Sequence, residues 1–138
     1  MKTLTTLIKL RQRDLDRSRE QLAKLESQRD QVIKQIGKLT EDLEKEYHLS
    51  AELADLRGFF GEYAESIKQK QKVMAQKVVQ TEMRIQEVIN EIQIRFAEVK
   101  KYEIALERRK EEEKQMRKYK EQMQMDEIGI RNVMFQEQ

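Results

Sequence analysis

Stepping along the chain from Leu4 alternately by four and by three residues meets an aliphatic side chain at most stops. Leu4, Ile8, Leu15, Leu22, Leu25, Val32, Ile36, Leu39 and Leu43 all fall on this ladder, and Arg11, Ser18 and Arg29 interrupt it. Steps that average 3.5 residues keep every rung on one narrow stripe of an α-helix, the pattern of a seam that faces another helix. A second stripe lies further along: Tyr63, Ile67, Met74, Val78, Ile85, Val88, Ile92, Phe96, Val99 and Leu106. Charged residues make up 39% of the chain and aromatics 6%, too little apolar matter for a thick core but enough for a thin seam. The regular spacing of the apolar residues argues against the disorder that so charged a composition otherwise allows.

The 138 residues contain no proline and four glycines. Two of these, Gly58 and Gly61, bracket Phe59-Phe60 between the two stripes. Glycine inside a helix costs about 1 kcal/mol against alanine and supplies the positive dihedrals that a reversal uses. The chain is therefore predicted to be all-α: a single domain over 1–138, folded as a long two-helix antiparallel coiled-coil hairpin. Helix 1 spans about 2–57, the tip about 57–61 and helix 2 about 61–135. A reversal at Gly58–Gly61 pairs residues whose numbers total roughly 117. Leu43 then faces Met74, Leu39 faces Val78, Val32 faces Ile85 and Leu25 faces Ile92, apolar against apolar. Each arm of about 55 residues would reach about 80 Å at 1.5 Å per residue. Beyond Leu43 the strict ladder meets Glu46 and Ser50, and the apolar residues shift to Tyr47, Leu49, Leu53 and Leu56. A slip of that kind alters supercoiling locally. Gly37 is read as tolerated within the first arm.

The same arithmetic puts residue 1 beside residue 116 and leaves the residues beyond 116 without a partner in the first arm. Residues 107–115 carry no apolar side chain, and their opposite charges three and four apart support an exposed helix. Apolar residues then return. Met116, Tyr119 and Met123 share a face that Ile130 and Met134 extend, while Gly129 weakens the helix late in the segment. Methionine-rich helical faces suit adaptable partner grooves. The same face suits closure against the N-terminal turn or against a second copy of the chain.

Several function classes are disfavoured. There is no nucleophile–base pair, no glycine-rich phosphate loop and no second histidine or cysteine beside His48, so no enzyme, metal or cofactor is expected. Asp126 and Glu127 are adjacent, point about 100° apart on a helix and form no catalytic dyad. A net charge of +2 does not suggest a nucleic-acid binder. Lys68, Lys70, Lys72 and Lys77 lack interleaved stacking residues. No apolar run approaches a membrane span and the N-terminus lacks a secretory core, which predicts a soluble cytoplasmic protein.

Two local patterns resemble a known family. Phe60-Gly61-Glu62-Tyr63-Ala64-Glu65-Ser66-Ile67 is similar to the aromatic-x-x-Tyr-x-x-aromatic-aliphatic entry into the second helix of the FliJ family of the flagellar type III export apparatus, which has YscO relatives in injectisomes; Ser66 stands where that family usually has an aromatic. Met125-Asp126-Glu127-Ile128-Gly129-Ile130-Arg131 is similar to the family's Asp-Glu-hydrophobic segment followed by arginine, and the opening Leu7-Ile8-Lys9-Leu10-Arg11 also fits. The resemblance implies a non-enzymatic stalk and escort. Such a protein enters the export ATPase ring much as the central stalk of a rotary ATPase enters its hexamer, promotes its assembly and activity, engages the export gate protein and escorts unloaded export chaperones. It implies a location peripheral to the membrane-embedded export apparatus.

Carried onto this sequence, Arg11, Asp126, Glu127, Ile128 and Arg131 would lie at the ATPase end, where the bare face of Met116, Tyr119 and Met123 also falls. Tyr47, Phe60 and Tyr63, with Phe59 beside them, would lie at the tip facing the export gate. On this reading the isolated chain is a monomer with no small-molecule substrate and no nucleic-acid partner. The alternative is a dimeric coiled-coil scaffold or tether without an ATPase partner, in which the unpaired segment packs on its copy.

Overall fold

The computed structural model describes residues 2–52 and 57–136, and these form two helices, α1 (Lys2–Glu52) and α2 (Arg57–Gln136). They pack against each other as an all-α helical hairpin. The chain divides into a unit of Leu15–Ile94 and a unit made of Met1–Asp14 with Arg95–Gln138.

The first helix keeps its ladder. Each rung from Leu4 to Leu43 is buried or half-buried, including the interrupting Arg11, Ser18 and Arg29. Its next rung, Glu46, is exposed, and the one after it, Ser50, is 6% exposed, while Tyr47 and Leu49 are 57% and 45% exposed. Neither Tyr47 nor Leu49 becomes a buried rung as the predicted slip requires; Leu53 and Leu56 lie outside the described residues. Ser50 is tolerated at the seam because its hydroxyl donates to the Tyr47 carbonyl at 2.9 Å, within its own helix.

The second helix carries an equally regular ladder that its apolar residues alone do not display. Its buried or half-buried rungs from Phe60 to Leu106 include the polar Gln71, Thr81 and Arg95, and also Tyr102. Tyr63 and Phe96, read from sequence as stripe members, sit beside the seam at 37% and 45% exposure. Val88 and Val99 are almost wholly enclosed. Burying such a side chain contributes about 1.5–3 kcal/mol. Thr81 satisfies its hydroxyl on the Lys77 carbonyl at 2.8 Å.

Cross-helix contacts set the register. In the unit of Leu15–Ile94, the Gln71 amide donates to the Ile36 carbonyl at 3.1 Å and to Thr40 Oγ1 at 2.8 Å, and the Tyr47 and Phe60 rings meet edge to face at 5.6 Å. In the other unit, the Arg95 guanidinium lies 3.8 Å from the Asp14 carboxylate, which Arg11 of its own helix also holds at 3.2 Å. The numbers of these pairs total 107 to 111 rather than 117. Leu39 then lies level with Gln71, not Val78. The sequence register is displaced by about one heptad, because apolar rungs recur every seven residues and match equally well after such a shift.

The displacement has a local counterpart at the glycines. Gly58 and Gly61 do not make the reversal: both lie inside α2, and no described glycine has a positive φ. The end of the predicted first helix at 57 falls beyond α1, and residues 53–56 lie outside those described. A Cβ added at Gly58 or Gly61 would meet nothing within 4 Å. Each glycine therefore costs helix propensity with no steric return.

Two measurements check this fold. Gly58→Ala and Gly61→Ala should each stabilise the protein by roughly 0.5–1 kcal/mol in chemical denaturation, whereas a reversal at these residues would make both substitutions destabilising. The chain has no native cysteine. On oxidation, the Leu39→Cys, Gln71→Cys pair should therefore cross-link within the monomer much faster than the Leu39→Cys, Val78→Cys pair.

Candidate partner-binding surfaces

The last half-buried rung of α2 is Leu106, and every residue from Glu107 to Gln136 is exposed. This C-terminal extension begins about ten residues earlier than the sequence register implies, so the charged 107–115 run belongs to it. The helix passes through Gly129 to Gln136. Within it Gln115 donates to Glu111 at 3.0 Å, one of the local side-chain bonds that support a helix lacking tertiary cover.

At about 100° per residue the extension presents two apolar faces. Met116, Tyr119, Met123, Ile130 and Met134 form one, at 51–64% exposure. Met125, Ile128 and Phe135 lie on another, with Ile128 about 150° around the axis from the first stripe. Asp126 flanks the first face, Glu127 lies on its opposite edge, and Arg131 lies between the two faces. Open grooves run along this surface, one by Gln115, Met116 and Tyr119 and another by Asp126, Gly129, Ile130 and Met134.

The candidate residues of this end are thus not one patch. Met116, Tyr119, Met123 and Glu127 share a face, whereas Ile128 and Arg131 do not join it. Arg11 stands apart altogether. It occupies a seam rung, bonded to Asp14, with its Nε buried and unpartnered. Arg11 is separated along α2 from the Met116 level by several helical turns.

Within the unit of Leu15–Ile94 the four tip aromatics do come together. Phe59, Phe60 and Tyr63, with Glu46 and Ser50, line a cavity of about 220 Å³, and Tyr47 closes on Phe60 from α1. Phe59 is 72% exposed and Phe60 half-buried, so the cluster combines an anchored ring with an accessible one. Helical spacing produces this grouping: Phe60 is a seam rung, and Tyr63 lies three residues on. His48 adds only an edge contact to Tyr47 at 5.8 Å. Among the described residues no group of three or more His, Cys, Asp or Glu side chains could hold a metal ion.

No described helix is long and apolar enough to cross a membrane. Lys68, Lys70, Lys72 and Lys77 are exposed along α2 with no aromatic residue among them.

Comparison with known proteins gives one finding. The whole chain, residues 1–138, matches the family described as Flagellar FliJ protein. No curated protein and no solved structure matches it.

The exposure difference along α2 has a chemical readout. Brief treatment with hydrogen peroxide should oxidise Met116, Met123, Met125 and Met134 ahead of the half-buried seam residue Met74, as read by mass spectrometry of proteolytic fragments.

Proposed function

The chain belongs to the FliJ family, non-enzymatic components of flagellar type III protein export, and from that premise we propose that it is the stalk and escort of this apparatus. Its C-terminal extension binds and stimulates the export ATPase ring. Its tip engages the export gate, and the protein hands on unloaded export chaperones. It works in the cytoplasm, peripheral to the membrane-embedded machinery.

The observation that carries this reading is the extension itself. Thirty consecutive residues of helix, 107–136, are exposed on every side and bear two apolar faces. Exposed apolar surface of this extent on a soluble helix marks an interaction site. Asp126, Glu127, Ile128 and Arg131, which the family resemblance assigns to the ATPase end, all lie on it. At the tip, Phe59, Phe60 and Tyr63 line one small cavity, with Tyr47 against Phe60, and this cluster is suited to a partner's apolar side chain. Arg11 is left out of the docking set, since Asp14 already occupies it.

A chain ending at Gln115 retains every seam rung, the last being Leu106. It should keep the hairpin's helicity and cooperative unfolding while losing binding to the export ATPase and stimulation of its hydrolysis. Full stimulation by the shortened chain would remove the extension from this role.

A further inference from the structure

The cavity at the tip is lined by two kinds of group. Phe59, Phe60 and Tyr63 supply rings, and Glu46 and Ser50 supply side-chain oxygens. The Phe60 ring is held by its edge contact with Tyr47, whereas Phe59 stands 72% exposed and open to a ligand. Rings alone would take any apolar side chain. The two oxygens decide what the cavity selects.

Ser50 is 6% exposed, and its hydroxyl proton is already donated to the Tyr47 carbonyl at 2.9 Å. A hydroxyl has a single proton to give, so the Ser50 oxygen can only accept from an occupant of the cavity. Glu46 is exposed, forms no ion pair among the described residues and, when ionised, also only accepts. An aliphatic occupant would take water from these oxygens and return no hydrogen bond. An anion would be repelled by the carboxylate. A cation with several N–H donors satisfies both oxygens and is attracted by aromatic faces as well. The guanidinium of arginine meets this demand: it is planar and always charged, and its apolar stem can lie along the rings.

The surroundings of the cavity carry the same preference. Residues 41–52 and 58–65 hold seven carboxylates and one lysine. Among the described residues none of the seven is ion-paired. Such a field draws a basic segment of chain toward the tip.

We infer that the tip cavity receives an arginine side chain from a basic segment of a partner protein. Its guanidinium meets the Glu46 carboxylate and the Ser50 oxygen, and its stem lies against Phe59 and Tyr63. This rests on the tip being a partner surface, but not on the export gate being the partner.

The test uses the full chain and short capped peptides of alternating glycine and lysine that differ only at the central residue: arginine, lysine or norleucine. Binding is followed by NMR shifts of the Phe59, Phe60 and Tyr63 rings. The arginine peptide should bind at least fivefold more tightly than either of the others. Glu46→Gln should weaken it at least threefold, whereas Glu44→Gln, the same charge change away from the cavity, should leave it within twofold. Equal binding of the three peptides, or equal effects of E46Q and E44Q, overturns the proposal and leaves a diffuse acidic surface. Tightest binding of the norleucine peptide overturns it and leaves an apolar pocket, and the absence of any saturable shift overturns it as well. The gate reading of the tip fails on a different result, namely retention of export gate binding by the chain carrying Phe59→Ala and Tyr63→Ala.

Discussion

A two-stranded seam whose apolar residues recur every seven positions has no single register of its own. Sliding one helix by a heptad lays apolar side chains on apolar side chains again, and hydrophobic burial barely distinguishes the two arrangements. Here the polar rungs remove that freedom. The Gln71 amide reaches the Ile36 carbonyl and the Thr40 hydroxyl, and Arg95 reaches Asp14. Each such contact is worth only about 1 kcal/mol or less in net stability. Leaving Gln71 or Arg95 without its partner in a half-buried seam costs more, so the wrong register is penalised rather than the right one strongly rewarded. The lengths of the hairpin arms, the residues that meet at the tip and the point where α2 emerges alone all depend on that choice.

Much of the fold can be read from the residues themselves. The rungs from Leu4 to Leu43 are the ones enclosed, because a period of 3.5 sustained over that length admits one stripe only. On α2 the apolar residues are a less faithful guide. Gln71, Thr81 and Arg95 are rungs, and Tyr63 and Phe96 are not, since position on the helix outranks side-chain polarity once the neighbouring rungs are packed. The reversal is less legible still. Gly58 and Gly61 look like a turn, yet two glycines cost only about 2 kcal/mol inside a long helix, which seam packing elsewhere easily outweighs.

The candidate surfaces divide along the same line. Exposure of Tyr119 and Met123 comes from arithmetic on the arms, because either register leaves those residues unpaired. The half-buried seam position of Arg11 does not. An arginine on an apolar ladder can point out or lie along the seam, and only the adjacent Asp14 decides. Separation of Ile128 from the Met116 face is a matter of helix geometry, and membership of one short motif conceals it.

The emergence of α2 from its partner at Leu106 divides the sequence into two regimes of substitution. Rungs of the hairpin answer to folding, so exchange at Leu15 or Val88 is limited by cavity and strain before any partner is consulted. Beyond Leu106 a residue contributes to the fold only through local helix propensity, and nearly any good helix former satisfies that demand. Variation there is filtered almost wholly by binding. A lineage could thus retune whom the extension meets without endangering the hairpin that carries it, and the two ends of one helix can diverge at different rates.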